Sequence, residues 1–477
     1  MGGLMLIPAL TAVVFGEWPS LFDFLIGSSL SFCVGFIFLL IGRPSQRGLT
    51  WMLGFTVAAF SWLVLMFLAA VPYYLSGHWG AFVDALFDVM SGFTTTGLVL
   101  VQDLDHIPNS VNMWRHILTY LGGQGMVVLA LTVLSKGLPG AFKLYVGEAK
   151  DERLMPSVGQ TARAIWFISV VWLIFGTVAL WLSGLAIGMK PVRAFLHGLW
   201  VFMGAWSTGG FAPQSQNIMY YHSFLLEAVT VPIMIAGSFN FGLHFAIWTG
   251  KRSEIYRNLE TRVFFVTLSL FTLVGFLSTV TAGVYSDALS LARRIVYQFI
   301  SAQTTTGFSN IFPQQFVYHW PTVVLLAMTL AMLFGGSASS TAGGFKGVRV
   351  GVVAKAIRME VRKLMAPESA VIVEKVHMGQ DSPLEDRNVK VAALIILLYI
   401  VIFTIGTVAG VAYGYPLPMA IFEAGSVTGN VGLSSGLTSP LMPWPLKILY
   451  ILMMWMARLE FMSVFVFFAI LWRFGRR

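Results

Sequence analysis

The sequence predicts an all-α polytopic membrane protein made of four pseudo-symmetric helix, re-entrant loop, helix units, with two extra helices ahead of the first. Three observations predict it. Of the 477 residues 57% are apolar and 11% charged, against roughly 25% charged in soluble domains, so a water-soluble globule is excluded. Ten apolar runs recur along the chain. Between them one Thr/Gly-rich turn recurs four times.

The apolar runs lie at 4–15, 21–41, 51–75, 115–134, 165–187, 220–248, 263–284, 320–334, 391–413 and 445–472. A bilayer crossing takes about 20 residues of helix. The first run has no basic segment ahead of it and continues into more apolar sequence, so it reads as a span and not as a cleavable leader. With both termini cytoplasmic, 23 of the 30 Lys and Arg fall inside, and Arg458 falls within a span. Six fall outside: Arg115, Lys190, Arg193, Arg293, Arg294 and Lys447. That bias sets the orientation and accounts for the net charge of +9 without nucleic acid. The single cysteine, Cys33, excludes a disulfide framework and a thiolate metal cage. The histidines, His106, His116, His197 and His244 among them, have no metal-ligand spacing.

The repeated turns are Phe93 to Leu98, Trp206 to Phe211, Gln303 to Phe308 and Thr428 to Leu433, aligned on Gly97, Gly210, Gly307 and Gly432. These glycines are 113, 97 and 125 residues apart, about one hairpin unit each. Ten residues before them stand Phe87, Trp200, Tyr297 and Phe422; six before stand Ser91, Gly204, Ser301 and Ser426; one after stands Leu or Phe. Thr and Gly are ordinary residues of tight turns, but four copies with matched flanks are not ordinary turns. The predicted units are 49–150, 151–255, 256–375 and 376–477, after two transmembrane helices in 1–48.

An extended backbone at membrane depth is tolerated only where it is buried in protein or lines a wet cavity. Four such strands converging on one axis would offer a ring of backbone carbonyls, which replaces the hydration shell of a monovalent cation. Glycine permits the positive φ and the close approach of backbones that such a ring needs. Helices descending to the ring would turn the negative ends of their dipoles toward the ion and disfavour anions. The fold class is therefore four helix–pore-loop–helix repeats around a central pore.

The stretch 335–344, Gly-Gly-Ser-Ala-Ser-Ser-Thr-Ala-Gly-Gly, has no bulky side chain. Glycine costs about 1 kcal/mol relative to alanine inside a helix, so the eighth span breaks here. About 15 residues precede the break, too few to cross a core ~30 Å thick, which puts an irregular loop inside the membrane. Arg458 sits inside the last apolar run, where a charge must face a cavity or a partner. Asp84, Asp88, Asp103, Asp105 and Glu423 lie on the outer side and read either as a cation-concentrating vestibule or as solvated loop acids. Asp88 and Glu423 share one repeat position, nine before the glycine, which favours a structural role. Gln124 and Asn240 read as interhelical hydrogen-bonding groups.

These residues resemble the Trk/Ktr/HKT superfamily of potassium transporters over essentially the whole chain, and the two extra N-terminal helices are similar to those of the Trk branch. The resemblance implies a potassium filter made by Thr95, Thr96 and Gly97; Thr208, Gly209 and Gly210; Thr305, Thr306 and Gly307; and Asn430, Val431 and Gly432. The bound species would be potassium alone, on backbone carbonyls, with no organic cofactor in this chain. In HKT relatives a serine at the first filter glycine goes with sodium preference; all four positions are glycine here, which implies potassium and rubidium over sodium. Asn430 and Val431 depart from the Thr-rich pattern. The resemblance also implies a gate below the filter, comprising Gly335, Gly336, Ser337, Gly343, Gly344, Lys346 and Arg458. It implies a homodimer in the bacterial inner membrane, in contact with lipid, and a cytosolic TrkA-like RCK subunit that binds nucleotide.

An enzyme is poorly supported, since the chain has no His-Glu-x-x-His, no phosphate-cradling glycine loop and no nucleophile elbow. The other reading is an alternating-access carrier of another solute, because broken helices also build sites at the midplane. Carriers normally carry inverted repeats in two halves, whereas these four copies share one orientation.

Overall fold

Inside a bilayer a chain satisfies its backbone N–H and C=O groups by folding as helices. The structure, a computed structural model, describes residues 1–42, 51–101, 103–134, 158–367 and 369–474. Of the basic residues used to predict orientation, Arg43, Arg47, Lys136, Lys143, Lys150, Arg153, Arg476 and Arg477 lie outside the described residues.

The first two helices, α1 (Gly2–Phe15) and α2 (Trp18–Ile41), pair with each other. At 14 residues α1 is about 21 Å long, shorter than the ~30 Å core it was expected to cross. The first unit holds α3 (Trp51–Leu75), the short α4 (Phe82–Phe93) and α5 (Asn109–Leu134). The second holds α6 (Val158–Ala186), short α7 (Pro191–Trp206), α8 (Phe224–Gly237) and α9 (Phe241–Trp248). After α10 (Glu254–Arg257), the third unit comprises α11 (Leu259–Thr281), short α12 (Ala288–Gln303), α13 (Pro313–Tyr318), α14 (Thr322–Phe334) and α15 (Gly347–Met365). An antiparallel hairpin, β1 (Lys375–Met378) and β2 (Gln380–Pro383), leads to the fourth: α16 (Asp386–Ala412), short α17 (Leu417–Gly429), α18 (Trp444–Arg458) and α19 (Met462–Phe474).

By length and composition α2, α3, α6, α11 and α16 suffice to cross a membrane. Two runs expected to be single spans are bent. The axes of α8 and α9 meet at 101°, and those of α18 and α19 at 112°. At the first bend the Asn240 side chain accepts from Gly242 N at 2.6 Å and caps the new helix. At the second, Glu460 and Phe461 take φ of 53° and 64° and close the turn. Gln124 does bond between helices, accepting from Ser169 Oγ at 2.9 Å.

Exposed apolar side chains crowd α1, α2, α6, α11 and α16. In water such a surface would drive association, but against lipid it is the expected outer face. The buried residues are densest around the four short helices, each of which ends fully buried.

Candidate functional site

The four Thr/Gly turns meet at one place. Each continues from the C-terminus of one short helix, α4, α7, α12 or α17, and each follows the same backbone course. Two residues before the glycine, Thr95, Thr208, Thr305 and Asn430 have φ of 53°, 50°, 56° and 52°. Gly97, Gly210, Gly307 and Gly432 have φ of 88°, 60°, 82° and 95°. The N–H groups of Thr96, Gly209, Thr306 and Val431 donate to the carbonyls of Ser91, Gly204, Ser301 and Ser426 at 2.8 to 2.9 Å. At the position six before the glycine the second unit has no room for a side chain: a methyl on Gly204 would stand 2.5 Å from Phe211 O. The left-handed region costs an L-residue about 1–3 kcal/mol, and three of the four residues held in it are β-branched threonines.

The glycines interlock in sequence order. A methyl on Gly97 would stand 2.6 Å from Gly209 O; one on Gly210 would fall on Thr306 O, one on Gly307 on Val431 O, and one on Gly432 on Thr96 O. First meets second, second third, third fourth, and fourth first again, so the ring is closed. Behind it the residues after the glycines, Leu98, Phe211, Phe308 and Leu433, are at most 1% exposed, as is Phe87. Trp200, Tyr297 and Phe422 are buried with them. The fourth unit differs where its sequence differs, Asn430 Nδ2 donating to Thr96 Oγ1 at 3.0 Å and to Met454 O at 3.2 Å, and it also differs at a shared serine, Gly432 N donating to Ser426 Oγ at 2.9 Å.

Outside the ring opens a cavity of about 250 Å³, lined by all four glycines and by neutral groups including Gln214, Gln216, Asn217, Ser309 and Ser434. No carboxylate lines it among the described residues. Asp88 is buried and accepts from Leu100 N at 2.7 Å and Trp79 Nε1 at 2.9 Å. Glu423, also buried, accepts from Ser435 N at 2.7 Å, Ser435 Oγ, Ser434 Oγ and Thr438 N. Asp84 is paired with Lys447 at 2.6 Å, both side chains 6% exposed. Asp105 accepts from Ser215, and exposed Asp103 from His106, whose hydrogen bond holds the Asp103 carboxyl below its usual range. Three of the five acids are therefore struts within the protein. Arg115 and Lys447, assigned to the outer side from sequence, are buried.

The stretch 335–344 lies against the ring at the residues two before the glycines, on the face away from that cavity. Gly343 N donates to Thr305 Oγ1 at 2.8 Å, Thr208 Oγ1 bonds Thr341 Oγ1 at 3.2 Å, and Gln303 Nε2 donates to Gly335 O at 3.1 Å. A methyl on Gly343 would fall on Gly429 O. The stretch thus touches the second, third and fourth units at once. On its far side Arg458 Nη1 donates to Thr341 O at 2.6 Å while Nη2 reaches Gly122 O of the first unit at 3.4 Å. Lys346 Nζ donates to Ala342 O, and Arg349 pairs with Glu460. Gly336 packs on Ser238, and Ser337 N donates to Ser238 O at 2.9 Å. Arg458 closes α18 at its C-terminus, where the helix dipole favours a cation.

Sequence reasoning missed Glu260, which accepts from Ala338 N at 2.6 Å and Val348 N at 3.3 Å and so ties the stretch to the start of α11. The signal was slight, because an acid in the first turn of a helix is ordinary. It also missed Gln298, third-unit counterpart of Asp88 and Glu423, which donates to Asn310 Oδ1 at 2.9 Å. Its place nine before Gly307 could have found it.

The family model described as "TrkH: Cation transport protein" matches residues 21–475. An uncharacterized cation transporter of Methanocaldococcus jannaschii is 30% identical over 99% of this chain and 93% of its own length. The Trk system potassium uptake protein TrkH of Halomonas elongata is 29% identical over 97% of this chain and 94% of its own. The crystal structure of the potassium transporter TrkH from Vibrio parahaemolyticus superposes with a TM-score of 0.84 at 26% identity, covering 98% of this chain and 95% of that one.

Proposed function

The chain belongs to the TrkH family of cation transport proteins, and from that premise we propose that it takes up potassium across the bacterial inner membrane through the closed ring of four strands. The observation that carries this reading is the interlocking of each glycine with a carbonyl of the next unit. Backbone oxygens of Thr95 and Thr96, Thr208 and Gly209, Thr305 and Thr306, and Asn430 and Val431 replace the water around a potassium ion. Burial makes them stiff, and an ion that fits them loses less on dehydration than a smaller one. The neutral mouth admits the ion, and selectivity is left to the ring.

The stretch 335–344 with Lys346 and Arg458 is the gate in this reading. It lies under the ring, bonded to the strands it closes, and Arg458 places a positive charge beside the path. Thr208 and Thr305 serve two purposes, since their carbonyls face the ion and their hydroxyls hold the stretch. The hairpin 375–383 lies beside the gate, with Met378 packed in one cluster with Ala338, Val348 and Val352. His377, between Asp381 at 2.5 Å and Glu254 at 3.2 Å, fastens it to α10. A cytosolic RCK subunit that binds nucleotide would act on this inner face, and the transporter would work as a homodimer. Both termini are cytoplasmic in this reading.

Rescue of potassium-starved cells tests it. Wild type restores growth at low potassium and Gly97→Ser does so poorly, with sodium admitted. Equal rescue by both removes the ring from selectivity. Saturable exchange of an organic solute in vesicles, without rubidium flux, favours the alternating-access carrier instead.

A further inference from the structure

The strand beyond each glycine must be held, or the ring would spread. In the first and fourth units the holder is a carboxylate on the short helix, nine residues before the glycine, which accepts the N–H three residues after it. Asp88 takes Leu100 N and Glu423 takes Ser435 N, each at 2.7 Å. In the third unit Gln298 reaches the side chain of the matching residue, Asn310. In the second unit this brace is impossible from either end. The position nine before Gly210 is Val201, and the position three after it is Pro213, which has no N–H to give.

One turn of α5 does the opposite there. His116 places Nε2 3.2 Å from Phe211 O and Nδ1 2.7 Å from Asn112 O, so a neutral ring donates to one of the two carbonyls according to its tautomer; Arg115 Nη1 donates to Ala212 O at 3.2 Å, and Asn112 Nδ2 lies 3.5 Å from Pro213 O. Three successive carbonyls of the strand thus face three side chains of one neighbouring helix. Arg115 is also stacked 4.6 Å over the Phe211 ring and donates to Asn112 Oδ1, which orients the amide. Its guanidinium is fully buried, Nε and Nη2 have no hydrogen-bond partner among the described residues, and the countercharge acting on it is the Asp88 carboxylate of the first unit. A buried charge with unmet donors is costly, so packing alone does not explain an arginine here.

We propose that Arg115 and His116 are positioning residues for ion selectivity, holding the second strand by its carbonyls where the other units hold theirs from the short helix. This rests on the potassium-filter reading of the ring. The inverted brace and the Val201/Pro213 pair are one device: a strand with no N–H to offer is fixed through its oxygens.

The test is ⁸⁶Rb⁺ and ²²Na⁺ flux into proteoliposomes. Wild type prefers rubidium. Arg115→Met, which keeps the length and loses the donors, lowers the rubidium-to-sodium ratio about tenfold, the equivalent of one lost hydrogen bond. His116→Leu lowers it as well, and His116→Gln, which retains an amide donor, keeps it. Adding Val201→Asp with Pro213→Ala to Arg115→Met installs the ordinary brace and recovers the ratio. A monodisperse Arg115→Met protein with a wild-type ratio overturns the inference and leaves the filter reading intact. Where Arg115→Met yields no folded protein, equal ratios for His116→Leu and His116→Gln overturn it. Wild-type protein that passes sodium as fast as rubidium removes the filter reading and the brace with it.

Discussion

Threonine in the left-handed region is the residue-scale signature of this protein. Thr95, Thr208 and Thr305 hold a conformation that their branched side chains disfavour, and it persists because each neighbouring N–H is bonded back to the helix it leaves. The glycines were legible in the sequence because few other residues permit such close backbone approach, and the spacing of four copies gave their register. The threonine conformation was not legible, since propensity argues against it and only the assembled ring imposes it. The buried pair Asp84 and Lys447 was equally hidden, because their partnership joins positions 363 residues apart. Removing one member leaves an unpaired buried charge, which costs about 3–5 kcal/mol. Lys447→Met should therefore lower the thermal midpoint in detergent by several degrees, and Asp84→Leu added to it should recover part of the loss. A Lys447→Met protein that melts with wild type would show the pair to be without structural weight.

Breaks in helices carry the chemistry at the scale of elements. The run of small residues at 335–344 announced its break, since a stretch rich in glycine has little to hold it helical. The bends at 238–240 and 459–461 were not announced, because apolar residues continue on both sides and each bend turns on one polar residue: Asn240, which caps the new helix locally, and Glu460, which pairs with the distant Arg349. All three breaks cluster on one face of the ring, away from the cavity, where Arg458 grips Thr341. A charged hydrogen bond of this kind contributes about 1.5–3 kcal/mol. If it holds the stretch in place, Arg458→Ala shifts the balance toward the open path roughly thirtyfold, the equivalent of about 2 kcal/mol. Rubidium leak from vesicles without a regulatory subunit should rise accordingly. Unchanged leak takes Arg458 out of the gate.

At the scale of the whole molecule the units are fastened to one another around the ring as much as within themselves. Arg115 of the first bonds the strand of the second, Glu227 of the second pairs with Arg293 of the third at 2.7 Å, and Lys447 of the fourth pairs with Asp84 of the first. The repeat made the architecture legible, because four matched turns in one chain require one shared centre. These fastenings were not legible, since each unit uses different residues for the same purpose and pattern matching finds only what recurs. The most direct measurement is anomalous diffraction from crystals grown in rubidium. Peaks on the axis enclosed by Gly97, Gly210, Gly307 and Gly432, within coordinating distance of carbonyls from all four strands and displaced by potassium but not by sodium, are expected. An occupied ring that binds sodium equally well, or rubidium bound only elsewhere, would contradict a potassium filter at this site.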